Sequence, residues 1–284
     1  MNATLKKVIA EFIGTFTFLL AIAGASSSGS PLKQISLALT LGLMILTLGG
    51  ISGGHFNPAV SIYFFAKKEL SFGQLVAYVA GQLTGAFFGI AAGLSLWQKT
   101  ISPITDGNQV DASVFAGEVV ATAGLVFIIA TLVNNKQANL IWVAVATWVF
   151  AAGTFTVTGA MANPAVAFGL LFNGISSGSI ASIIVAQLVG LLVAVVLLAF
   201  TGAKTAKKAP AKKEAPKFVP APIVAVPAEA VSTTVAAPAK KPAAKKPAAK
   251  KAAPKAAAKP AETKPVAKKA PAKKPAAKKA PAKK

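Results

Sequence analysis

Gly53-Gly54-His55-Phe56-Asn57-Pro58-Ala59-Val60 and Gly159-Ala160-Met161-Ala162-Asn163-Pro164-Ala165-Val166 are the two stretches that decide the fold. Each carries the tetrapeptide Asn-Pro-Ala-Val. Before residue 203 the chain has prolines only at Pro31, Pro58, Pro103 and Pro164, so half of them sit in these motifs. Asn is a strong helix N-cap and Pro is favoured at the first helical position, so each motif opens a helix. Each follows a Gly-rich break (Gly49-Gly50 and Gly53-Gly54; Gly153 and Gly159) and precedes a short apolar run. About ten residues at ~1.5 Å rise make roughly 15 Å, half of a bilayer's hydrocarbon core. The sequence therefore predicts two half-helices, Asn57–Ala66 and Asn163–Phe172. Irregular backbone at that depth is tolerable only where protein shields it or a watered cavity runs beside it.

Around the motifs lies a duplication. Glu11 recurs as Glu118, 107 residues later; Asn57-Pro58-Ala59-Val60 recurs 106 later; Gln82 recurs as Gln187, 105 later. Likeness between any two oily helices explains shared Ala and Gly, but not three polar landmarks in order. Apolar runs of membrane-spanning length fall near Val8–Ala25, Ile35–Gly50, Phe72–Leu96, Ala112–Leu132, Leu140–Val157 and Ser177–Phe200, with polar connections such as Ser26–Gln34 between them. Each repeat (about residues 5–100 and 112–202) holds three spans, an odd number, so the second copy enters the bilayer from the opposite face. Inverted repeats of this kind place their pathway at the repeat interface near the midplane. The fold class is thus an all-α membrane protein with six transmembrane helices and two re-entrant half-helices.

Composition divides the chain in two. All 30 basic residues of the 284 are lysine, and the net charge is +22. Residues 1–202 hold 7 Lys and 5 acids, a net of +2, whereas residues 203–284 hold 23 Lys and 3 Glu, a net of +20. The first segment is read as the membrane domain. The second, rich in Lys, Ala and Pro, is read as a disordered tail, because frequent proline prevents a sustained helix and little apolar side chain is available for a core. Lys6, Lys7, Lys67, Lys68 and Lys136 fall on the side of the termini, against Lys33 and Lys99 opposite. The positive-inside bias makes that side cytoplasmic, in a multi-pass protein of the cell membrane. Lys6-Lys7 before an apolar run imitates a signal peptide, but Glu11 inside that run and its repeat partner argue against one.

Chemistry follows from the half-helices. Two helix N-termini meeting at the midplane each present roughly half a positive charge, which repels cations and orients a dipolar solute by its oxygen. Asn57 and Asn163 cap with their side-chain oxygens and offer amide N–H donors to the lumen. These features suit a narrow passive pore for neutral molecules. Enzymatic chemistry lacks material: there is no cysteine and a single histidine, His55, so neither a metal site nor a cofactor is expected.

On these residues the chain resembles the aquaporin (major intrinsic protein) family, with Ile51–Ser61 similar to its first signature and Thr158–Ala165 to its second. The resemblance covers about residues 5–202. It implies a homotetramer with one pore per subunit, in contact with the lipid bilayer and passing water and small neutral solutes. It also implies that Glu11 and Glu118 anchor the re-entrant loops through backbone hydrogen bonds, and that His55 is a loop anchor and pore lining.

The likeness breaks at the outer constriction. Where most members carry an arginine after the second motif, this chain has Val166, and no arginine exists elsewhere. Counting back from Asn163 puts the other constriction positions at Ala160 and Ala151, with the fourth at Leu37, or Leu39 if the first loop is two residues shorter. The expected ring is wider and apolar, without a side-chain donor. Such a ring admits glycerol, urea, ammonia or hydrogen peroxide, as in the similar plant tonoplast-type members that carry Val; a dry ring could also impede water by dewetting. The Asp usual in glycerol facilitators is absent, with Ala167 in that region, so a dedicated glycerol channel is not indicated.

Two other classes compete with a passive pore. One is a gradient-coupled carrier using Glu11 and Glu118, since a membrane-embedded carboxylate is costly and often functional. The other is a non-conducting anchor for the polycationic tail, which could lie along anionic lipid or bind other polyanions.

Overall fold

The structure is a computed structural model describing residues 2–107 and 109–201. The predicted tail lies outside the described residues. All regular structure among the described residues is helical: α1 (Ala3–Ser28), α2 (Lys33–Ser52), α3 (Pro58–Ala66), α4 (Phe72–Ser95), α5 (Ala112–Asn134), α6 (Ile141–Phe155), α7 (Pro164–Leu170) and α8 (Ser177–Phe200). Single 3-10 turns, Ala138–Leu140 and Leu171–Asn173, precede α6 and extend α7. Six segments have the length and hydropathy to cross a membrane, while α3 and α7 are too short. The protein is a multi-pass membrane protein. Below, the face bearing the start of α1 is called proximal and the opposite face distal.

The spans match the sequence reading with shifts at their ends. Asn57 and Asn163 are N-caps rather than first helical residues, and α7 is regular only to Leu170. α2 begins at Lys33, so Gln34, expected in a polar connection, is helical. Capping fixes the starts where side chains allow. The Ser71 hydroxyl accepts from the Gln74 amide at 3.2 Å, and the Gln74 side chain accepts from Ser71 N–H at 3.0 Å, a reciprocal box that opens α4.

Packing repeats with the sequence. α1 lies along α4 as α5 lies along α8; α3 and α7 each pack on the fourth helix of both repeats. α2 and α6, equivalent to each other, close the bundle across the pseudo-twofold. The α1–α4 seam is made by Gly81, Gly85, Gly89 and Gly93, one per turn. A Cβ on each would stand 3.0, 2.6, 2.4 and 2.6 Å from the carbonyl oxygens of Val8, Phe12, Phe16 and Leu20. Without side chains there, the two backbones touch, and dispersion holds the pair where lipid offers no hydrophobic drive. In the second repeat the same positions are Ala186, Gly190, Ala194 and Leu198, and only Gly190 shows the same approach, 2.6 Å from the Val119 carbonyl. Large apolar side chains such as Leu39, Phe72, Phe88 and Leu192 stand on the outside of the bundle, where lipid would cover them.

Candidate functional site

The site is built from two loops that drop into the bundle and turn back as half-helices. Each loop is bent by left-handed backbone at matching places: Gly53 and Gly159 (φ 97° and 74°), Gly54 and Ala160 (65° and 57°), Phe56 and Ala162 (47° and 46°). Glycine takes this conformation freely; Ala160, Phe56 and Ala162 do not, so the surroundings must hold them.

Glu11 and Glu118 supply that hold. Both are fully buried. Glu11 Oε1 accepts from Ser52 Oγ at 2.5 Å and His55 N–H at 3.0 Å, and Oε2 from Phe56 N–H at 2.6 Å and Gln82 Nε2 at 2.8 Å. Glu118 repeats the set: Oε1 accepts from the Thr158 hydroxyl and from Met161 N–H at 3.0 Å, and Oε2 from Ala162 N–H at 2.9 Å and Gln187 Nε2 at 2.8 Å. Each carboxyl group thus accepts four hydrogen bonds, two of them from its loop's backbone. The loop carrying His55 is braced further: Nδ1 lies 3.1 Å from Ser61 Oγ, and the ring stacks on Phe64 with centroids 4.7 Å apart.

At the loop tips the two motifs meet. Asn57 Oδ1 accepts from Ala59 N–H at 2.9 Å and Asn163 Oδ1 from Ala165 N–H at 2.9 Å, which caps α3 and α7 behind Pro58 and Pro164. The amide nitrogens cross over. Asn57 Nδ2 donates to the Ala162 carbonyl at 2.8 Å, and Asn163 Nδ2 donates to the Phe56 carbonyl at 2.8 Å. An amide nitrogen carries two protons, so each Asn spends one on the opposite loop and keeps one.

Cavities flank the pair. A proximal one of about 40 Å³ is walled by Asn57, Asn163, His55, Val60 and Phe64. A distal one of about 230 Å³ is walled by Leu37, Ala160 and Val166, three of the four expected constriction residues. Leu39, the alternative to Leu37, is 59% exposed on the outside of the bundle. Ala151 does not line the distal cavity; Val149, on the buried face of α6 with Val145 and Ala152, does. Counting back from Asn163 misses this because α6 stops at Phe155 and the chain then passes through extended and left-handed residues.

The wall of the distal cavity also carries polar residues, Ser26, Lys33, Gln34, Thr158 and Asn173. Lys33 and Gln34, both on the first turn of α2, line the distal cavity. Gln34 Nε2 donates to the Gly153 carbonyl at 3.1 Å. Sequence reading missed Gln34 because it sits at the edge of an apolar run; Gly153 and Gly159, which give it room, were read only as helix breaks.

Six spanning helices, two capped half-helices and loops tied in matching fashion define an aquaporin-like fold with an inverted repeat. Residues 1–141 match the family described as major intrinsic protein. The chain is 31% identical over 185 residues to Aquaporin NIP3-1 of Arabidopsis thaliana, and 32% over 187 residues to Aquaporin-4 of Mus musculus. Each alignment covers 58% of this chain and 57% of the relative, so the chain spans little more than half the length of those two proteins. It is 28% identical over 207 residues to Aquaglyceroporin AqpS of Rhizobium meliloti, covering 68% of this chain and 88% of that one. Among solved structures, the aquaglyceroporin from Plasmodium falciparum shares the fold, with a TM-score of 0.56 and 23% identity over 69% of this chain and 95% of that one. The chain belongs to the major intrinsic protein family.

Proposed function

We propose that the chain is a passive transmembrane pore for water and small neutral solutes, excluding ions. The observation that carries this reading is the crossed pair Asn57 and Asn163, at which two helix N-termini face each other with one free amide proton apiece. Two positive helix ends at the loop tips oppose a cation, and a solute held by two donors is a poor link in a proton wire. The unequal cavities suit a solute larger than water in the distal half, with glycerol and urea as candidates. Names of relatives support the same solute class, water and glycerol. The fully occupied carboxyl groups of Glu11 and Glu118 support a loop-anchoring role over a proton-carrying one.

We further propose a homotetramer in the cell membrane with cytoplasmic termini, residues 1–202 as the pore domain, and the Lys-rich residues 203–284 in contact with anionic lipid or other polyanions. The testing experiment is stopped-flow light scattering on proteoliposomes with water, glycerol and urea. Rates above empty vesicles with low activation energy are expected; rates equal to empty vesicles for every neutral solute would sink the reading.

A further inference from the structure

We propose that Lys33 and Gln34 together form the polar selectivity element of the distal mouth, set on α2 in a chain that has no arginine to offer. The proposal rests on the pore reading above and names the residues that choose its solute. Gln34 would hold a neutral solute through an acceptor oxygen, such as a polyol or a urea offers, and Lys33 would turn cations away.

Gln34 is held in a seat that two glycines make possible. A Cβ on Gly153 would stand 2.7 Å from Gln34 Oε1, and one on Gly159 would stand 3.0 Å from Nε2. The Nε2–Gly153 carbonyl bond fixes the amide plane, leaving the second Nε2 proton without a protein acceptor. Oε1 is buried and accepts no hydrogen bond from the protein. Around it, Leu37, Val149 and Val166 offer only hydrocarbon. A solute stripped of water here meets the remaining Nε2 proton of Gln34, in a wall whose other polar residues are Ser26, Lys33, Thr158 and Asn173. A hydroxyl or carboxamide solute recovers there part of the hydration it loses.

Lys33 is misplaced for folding. It occupies the first residue of α2, where the helix dipole disfavours a cation, and the first turn holds no acid. No carboxylate among the described residues pairs with it. Lys33 nonetheless lines the distal cavity, which has no acidic residue in its wall. A cation crossing from the distal side meets this charge first and the paired half-helix ends second. Two positive layers in series explain how ions can be refused without the family's usual arginine.

The test uses the full chain in proteoliposomes, reading urea, glycerol and water rates by stopped flow and potassium leak with an enclosed fluorescent indicator. Gln34→Leu and Gly153→Ala, the latter displacing the intact Gln34, should both lower urea and glycerol rates about three- to tenfold relative to water, the equivalent of one lost hydrogen bond. Lys33→Glu should raise potassium leak by about tenfold, while Lys33→Arg keeps it at the wild-type level. Lys99→Ala, a distal lysine outside the cavity wall, should match wild type in every assay. Unchanged urea-to-water ratios in Gln34→Leu and Gly153→Ala, or a Lys33→Glu pore as tight to potassium as wild type, would overturn the proposal. A wild-type chain that passes no neutral solute would instead remove the pore reading itself, and that result is read before any variant is made.

Discussion

The side-chain amide of Asn57 lies 2.8 Å from the carbonyl oxygen of Ala162, and Asn163 returns the same bond to Phe56. One oxygen caps a helix and one nitrogen reaches the opposite repeat, so a single residue type performs both tasks. The two loop tips are thereby a mutual clamp, and each acceptor is a carbonyl whose residue is forced into left-handed backbone.

Asn57→Ala removes a cap and strands a buried carbonyl on the other loop. The expected cost is about 2–4 kcal/mol, combining cap loss with an unsatisfied acceptor. Asn163→Ala should lose a similar amount, because its bonds have the same lengths. Thermal unfolding in detergent, followed by tryptophan fluorescence, checks the equality; a large loss in only one variant would contradict the symmetric clamp.

Glu11→Gln and Glu118→Gln place an amide N–H₂ among four donors. Each should destabilise by about 1–3 kcal/mol. Wild-type solute flux should be the same with and without a proton gradient across the vesicle. Gradient-dependent uptake abolished by either substitution would restore the carrier hypothesis.

Val166→Arg puts a long cation into the cavity of about 230 Å³ beside Leu37 and Ala160. Glycerol permeation should fall by about tenfold or more while water persists, since the pore is narrowed but given donors. Stopped-flow measurement of both solutes decides it. Unchanged glycerol flux would show that the constriction lies elsewhere.

Gly89→Ala drives a methyl group to within 2.4 Å of the Phe16 carbonyl, which is backbone and cannot swing away. Helices α1 and α4 must separate, at an expected cost of about 1–3 kcal/mol. Gly73→Ala, on the same helix with open space around its Cα, should cost no more than a few tenths. Comparing the two melting temperatures separates close packing from a general loss of glycine.

Much of this was legible in residue order because helix capping is local chemistry. Asn before Pro opens a helix wherever the chain runs, and recurrence of Glu, Asn and Gln near a fixed offset revealed the duplication. The loop-anchoring role of Glu11 and Glu118 rests on the family resemblance, and their side-chain partners Ser52, Gln82, Thr158 and Gln187 do not show in residue order. What escaped depends on distant backbone. Gln34 belongs to the ring only because Gly153 and Gly159, more than a hundred residues on, leave it space. Val149 replaces Ala151 because the face that α6 turns inward is set by packing on α2, not by distance from Asn163. The glycine ladder of α4 was present in the sequence at four-residue spacing, but mean hydropathy is blind to small size.

The crossed amides also impose an order on biogenesis. Asn57 is synthesised 105 residues before its acceptor Ala162. At about 5–20 residues per second, the first loop waits roughly 5 to 20 seconds for its counterpart to leave the ribosome. Until then its amide and the Phe56 carbonyl lack their final partners, in a medium that tolerates neither unpaired. The first re-entrant segment therefore reaches its mature hydrogen bonding only after the second has been made.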